Sequence, residues 1–76
     1  MPRYFFHIND GADSPDTEGT VLANTVAAHA QAVATAGAML KEKGERLWDG
    51  PEWRMTVIDE AGQTVCDLQF SAHCPD

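Results

Sequence analysis

Five side chains in this 76-residue chain are of the types that hold metals through nitrogen or sulfur: His7, His29, His73, Cys66 and Cys74. Structural zinc sites draw such ligands from close pairs, so that one short turn sets half of the tetrahedron. No pair here has C-x-x-C or H-x-x-x-H spacing, and His73-Cys74 is a bare adjacent pair near the chain end. Four ligands would have to converge from remote elements, so neither a metal nor any other cofactor is expected. Asp10, Asp13, Asp16 and Glu18 raise a second chemistry, that of calcium. Calcium loops place oxygen ligands at alternate positions, with a central glycine and a closing bidentate glutamate. Asp10, Asp13 and Asp16 stand three apart, Pro15 interrupts them, and no glutamate closes a twelve-residue loop. These acids read as turn formers and as an acidic loop open to a cationic partner.

Nucleophilic chemistry finds no better footing. Ser14 and Ser71 lie in polar stretches without the Gly-flanked elbow that exposes a catalytic serine. Cys66 falls in an apolar alternating run, where a thiol is shielded and inert. Gly11 and Gly19 are too far apart for a phosphate-cradling loop, and no Lys-Ser or Lys-Thr follows them. No catalytic residue is therefore assigned. His7 sits between apolar residues in a β-prone run and is read as a sheet or interface histidine rather than a catalytic one.

The elements that must position these groups can be read in turn. Residues 3–8, Arg-Tyr-Phe-Phe-His-Ile, are aromatic and β-prone, and Asp10-Gly11 supplies a turn signal directly after them. Residues 12–18 contain Pro15 and no large apolar side chain, which suits a loop or a weak edge strand. Thr20-Val21-Leu22 can rejoin the sheet. Asn24 is placed to cap a helix over residues 25–43, and Gly44 to end it. Val26, Ala30, Val33, Gly37 and Leu40 recur at steps of four and three, widened by Ala27 and Ala34, and are the expected buried stripe. Gly37 within that stripe suggests close backbone approach. Leu47 and Trp48 are expected to fold back on the core. Trp53, Met55 and Val57 alternate with Arg54, Thr56 and Ile58. After the Asp59–Gly62 turn, Thr64, Cys66, Leu68 and Phe70 alternate with Val65, Asp67 and Gln69. The two runs predict an antiparallel hairpin over residues 53–70, followed by a tail over 71–76.

The expected architecture is α+β: a small antiparallel sheet of three or four strands in β(β)-α-ββ order, with one amphipathic helix across one face. At this length residues 1–76 form a single domain with one thin core. One helix cannot cover both faces of the sheet. If Tyr4, Phe6 and Ile8 face it, then Phe5 and His7 remain on the far side, joined by Val65 and by either Ile58 or the Trp53 series. Apolar surface of that kind points to a partner or a second copy.

Charge narrows the partners. Twelve acidic against five basic residues leave a formal net charge of −7. Nucleic-acid binding needs clustered cations to displace counterions, so it is not expected, and anionic membranes are disfavoured for the same reason. The chain opens on Tyr4-Phe5-Phe6, too short a run for a secretory leader or a membrane span. Cys66 and Cys74 are then expected as reduced thiols in a cytoplasmic protein.

Arg3-Tyr4-Phe5-Phe6-His7-Ile8 with Asp10-Gly11, then Asp16-x-Glu18-Gly19, Ala27-Ala28 and Val57-x-Asp59-Glu60-x-Gly62, resembles a family of short bacterial proteins known only as a domain of unknown function. The resemblance spans roughly residues 2–70. It implies a shared fold, places His7 and the Asp16–Gly19 turn within the family's pattern, and carries no assigned activity, cofactor or site residue. The order of strand, Asp-Gly turn, strand, Gly-containing loop and Ala-rich helix also bears a fold-level likeness to HicB-type antitoxin domains. The functional expectation is a small interaction or regulatory module, homodimeric through the sheet face. An antitoxin-like acidic partner of a basic protein is the alternative, and an enzyme or metal-binding protein the further one.

Overall fold

The computed structural model of the chain describes residues 1–44, 46–49 and 52–72. Strand β1 (Arg3–Asn9) is followed by the two-residue strands β2 (Asp13–Ser14) and β3 (Thr20–Val21). Helix α1 (Thr25–Lys43) and the short α2 (Arg46–Asp49) lead to β4 (Trp53–Ile58) and β5 (Thr64–Phe70). The architecture is α+β, with every strand pair antiparallel. The sheet runs β2-β1-β4-β5, and β3 pairs with β1 beside β2. Among the described residues the sheet thus has five strands, because both short segments after Asp10-Gly11 return to one edge of β1.

Register follows from alternation. Phe6 stands opposite Val57 and Ile8 opposite Met55, while Met55 faces Leu68 and Val57 faces Cys66. One face of the sheet therefore collects Tyr4, Phe6, Ile8, Trp53, Met55, Val57, Cys66 and Leu68, and the core forms there. Trp53, Met55 and Val57 are its largest fully buried side chains. Burying each stabilises the fold by about 1.5–3 kcal/mol.

The helix that covers this face begins where the sequence places it. The side chain of Asn24 accepts the Ala27 N–H at 2.9 Å, and Gly44, at φ 52°, donates its N–H to the Leu40 carbonyl. Its buried face is a correction. Ala28, Ala32 and Ala36 are buried, whereas Val26 is 72% and Val33 64% exposed. Seven alanines lie between Thr25 and Lys43. Hydrophobic spacing in such a helix follows its few branched residues, and here Val26 and Val33 lie on the outside while Leu40, of the expected stripe, packs partly against the core. The sheet supplies the bulk through Trp53, Met55 and Tyr4, so small side chains on the helix complement it best. Gly37 meets nothing within 4 Å of where a Cβ would stand, so close approach is not its role. Trp48 is also exposed rather than folded back; the side chain of Leu47 lies outside the described residues.

Helix α1 packs over β4 and β5. Among the described residues, β5 pairs only with β4 and forms the far edge of the sheet. The direction of its backbone groups follows from β1. The Phe6 N–H points away from β4, to Asp16 on the other side. Opposed residues in antiparallel pairs alternate between exchanging hydrogen bonds and not exchanging them. Phe6 and Val57 are then a non-bonded pair, Val57 bonds toward Cys66, and Met55 toward Leu68. Asp67 and Gln69, between and beyond these, aim their N–H and C=O groups outward from the sheet.

Candidate functional site

The residues singled out around His7 meet on one side of β1. Between the Ile8–Ser14 and Tyr4–Thr20 pairings, the chain leaves β1 as a loop, and Phe6 has no strand opposite it. Asp16 fills that gap with its side chain. One carboxylate oxygen accepts the Phe6 N–H at 3.1 Å, and the other accepts the N–H groups of Glu18 and Gly19 at 3.1 and 3.0 Å. An aspartate receiving N–H bonds from two and three residues onward closes a local turn. The Asp16 N–H in turn donates to Nδ1 of His7 at 2.9 Å. With Nδ1 accepting, a neutral imidazole carries its proton on Nε2.

Burial pushes the Asp16 carboxyl upward, but the three backbone donors and nearby His7 outweigh it and hold its pKa below the ordinary 3.8. Gly19 completes the turn at φ +75°, and a Cβ there would stand 2.8 Å from Arg3 Cγ and 2.9 Å from the Tyr4 carbonyl oxygen. Arg3 ties in the remaining motif. Its guanidinium donates to the Glu18 carbonyl at 2.7 Å, and its N–H donates to Glu60 Oε1 at 2.9 Å. Asp59 forms a second such turn, one oxygen accepting the N–H groups of Ala61 and Gln63.

The acidic loop is therefore divided among separate tasks. Asp10 lies 3.9 Å from Lys43, Asp13 accepts the Asn9 amide at 2.6 Å, Asp16 holds the backbone, and Glu18 is exposed. Among the described residues, no three His, Cys, Asp or Glu side chains come together in a group able to hold a metal. His29 is exposed on α1, while His73 and Cys74 lie outside the described residues. Burial, then the charge of Asp67, raises the pKa of the Cys66 thiol, which disfavours the nucleophilic thiolate. A concavity of about 280 Å³ beside His7 is lined by Ile8, Asp13, Ser14 and Pro15. It is smaller than the clefts that usually enclose a small-molecule ligand.

The open face of the sheet carries Phe5 stacked on His7, with centroids 6.4 Å apart and planes within 9°. Ile58 is the cross-strand neighbour of Phe5, and Thr56 that of His7. Phe5, His7 and Ile58 are each half-buried. Val65 is not beside them. Val57 pairs with Cys66 but Ile58 with Thr64, so Val65 is the extra residue of a bulge and packs against the core.

A family model for a domain of unknown function, DUF6894, matches residues 3–71. The chain belongs to this family. Within this member of the DUF6894 family, Tyr-Phe-Phe-His and Asp-x-Glu-Gly are two halves of one hydrogen-bonded construction. No curated protein and no solved structure matches the chain. No helix among the described residues is long and apolar enough to cross a membrane.

Two features of the fold have little or no local signal in the sequence. The Asp16–Phe6 bond was signalled only by an aspartate three residues before a glycine. The outward edge at Asp67 and Gln69 depends on strand order, which no local pattern encodes.

Proposed function

We propose that the domain is a protein-interaction module that works by strand addition at the outer edge of β5, aided by the flank of α1 above it. The observation that carries this is the outward direction of the Asp67 and Gln69 backbone groups on a seven-residue strand. An edge left uncovered among the described residues is a template for another strand, and natural sheets guard such edges with charged side chains, proline or bulges. Neither lysine nor proline occurs between Thr64 and Phe70; the strand carries one charge, Asp67, and its bulge at Val65 lies N-terminal to the Asp67–Gln69 segment. Val26 and Val33 add exposed apolar surface on the neighbouring helix.

The test is a photo-crosslinking side chain placed in the intact chain at position 33 or 69, with position 13 on the opposite edge for comparison. Adducts from 33 and 69 in cells, with 13 silent, are expected. Silence at 33 and 69 would sink the proposal.

A second reading keeps the contact on the open face, favoured by the direct cross-strand pairing of Phe5 with Ile58 beside His7. Crosslinks from position 56 alone would select it.

A further inference from the structure

Building on the proposed interaction at β5, we infer that its occupant is a second copy of this chain, paired antiparallel to β5 about a two-fold axis at Leu68. Three observations converge on that partner.

The first is register. Bonds across a symmetric antiparallel pair must join residues whose backbone groups point outward, here Asp67 and Gln69. Centring the axis on Asp67 would set two carboxylates directly opposite, a destabilising arrangement. Within each chain the Asp67 carboxylate accepts the Thr56 hydroxyl, and the Gln69 amide donates to Glu52. Centring the axis on Leu68 sets each Asp67 opposite the second copy's Gln69, so that a carboxylate faces an amide rather than a second carboxylate. On the helix side it sets Leu68 against Leu68 and Cys66 against Phe70. Phe70 is 44% exposed in the single chain and would gain cover.

The second is the side of the helix that carries its exposed valines. Met39 and Glu42, on one flank of α1, line a concavity with Ile8 and Asp10 and so face β1. Val26 and Val33 stand roughly a quarter to a third of a turn round from the buried alanines, in the other direction. They face outward past β5.

The third is distance. A two-fold axis perpendicular to the sheet leaves both helices on one face. Strands lie about 4.8 Å apart. A helix over β4 and β5 is then roughly 5 Å from an axis just beyond β5, which places the two helices about 10 Å apart, near the 8–10 Å of packed helices. A specific interface buries about 800 Å² per partner, so the helix flanks contribute alongside the strand edge.

The experiment is sedimentation equilibrium on the full chain, joined to residue-resolved amide exchange. The expected result is a dimer in which the Asp67 and Gln69 amides become protected as concentration rises. Gln69→Pro, which removes one outward N–H, and Val33→Glu, at a site exposed in the single chain, should each weaken the dimer at least tenfold. Thermal melts check that both variants fold, and Val33→Glu serves alone if the proline variant does not. A chain that stays monomeric at millimolar concentration overturns the inference, as does a dimer whose Asp67 and Gln69 amides exchange freely. If crosslinks from position 69 reach only other proteins, the second-copy inference fails while strand addition stands. Silence at both 33 and 69 defeats both.

Discussion

The carboxylate of Asp16 accepts the backbone N–H of Phe6 at 3.1 Å, standing where a paired strand would otherwise place a carbonyl. One side chain thereby bridges the break between β2 and β3. Asp16→Ala should leave the N–H groups of Phe6, Glu18 and Gly19 without their acceptor. Because the site is partly wet, a loss of about 1–2 kcal/mol is expected, or roughly 4–16 °C in Tm for a chain of this size. Thermal melts followed by circular dichroism measure it.

The same carboxylate gives an acid limb of known sign. Its folded-state pKa lies below 3.8, so its stabilisation is complete above that value and is lost as pH falls through the folded pKa. Asp16→Asn should be less stable than the native chain at pH 7, since its amide presents a donor to one of the three backbone donors. The gap between the two should narrow below about pH 3.8. Urea denaturation at pH 7 and pH 3 provides the comparison; a constant gap would show that the charge contributes nothing.

Glycine substitutions separate crowding from backbone preference. Gly19 and Gly62 have φ of +75° and +83°, but a Cβ at Gly62 meets nothing within 4 Å. Gly62→Ala should cost about 1 kcal/mol from conformation alone. Gly19→Ala must also displace the Tyr4 carbonyl, a backbone atom that cannot swing aside, and should cost clearly more. Equal losses in denaturant titrations would contradict that account.

The helix face is open to direct test. Ala32→Leu should overpack the core against the sheet and destabilise by about 1–3 kcal/mol, whereas Ala30→Leu should be nearly neutral. Gly37→Ala, with open space around it, should stabilise by up to about 1 kcal/mol. The opposite ranking in thermal melts would restore the Val26–Leu40 stripe as the buried one.

Self-association should respond to salt. Each chain carries −7, and two copies repel at long range. Raising ionic strength from about 0.01 to 0.15 M shortens the screening length from about 30 to 8 Å. The dimer should therefore tighten with salt in sedimentation experiments.

Local chemistry made much of this molecule legible from sequence. Tyr-Phe-Phe-His before Asp-Gly, Asn24 before an Ala-rich run and two alternating segments around Asp59–Gly62 each specify a backbone choice within a few residues. The α+β class, the bounds of α1 and the β4–β5 hairpin follow from such short-range preferences. Tertiary structure decided the rest, because facing and adjacency depend on partners far along the chain. Which side of α1 is buried was set by the bulk of Trp53 and Met55 beneath it, since a helix with alanine on every side has no strong preference of its own. The role of Asp16 exists only because the chain returns to β1 in two pieces and leaves Phe6 between them. Asp67 and Gln69 became an edge only because β1 and β5 flank β4 on opposite sides, an order that alternation alone cannot specify.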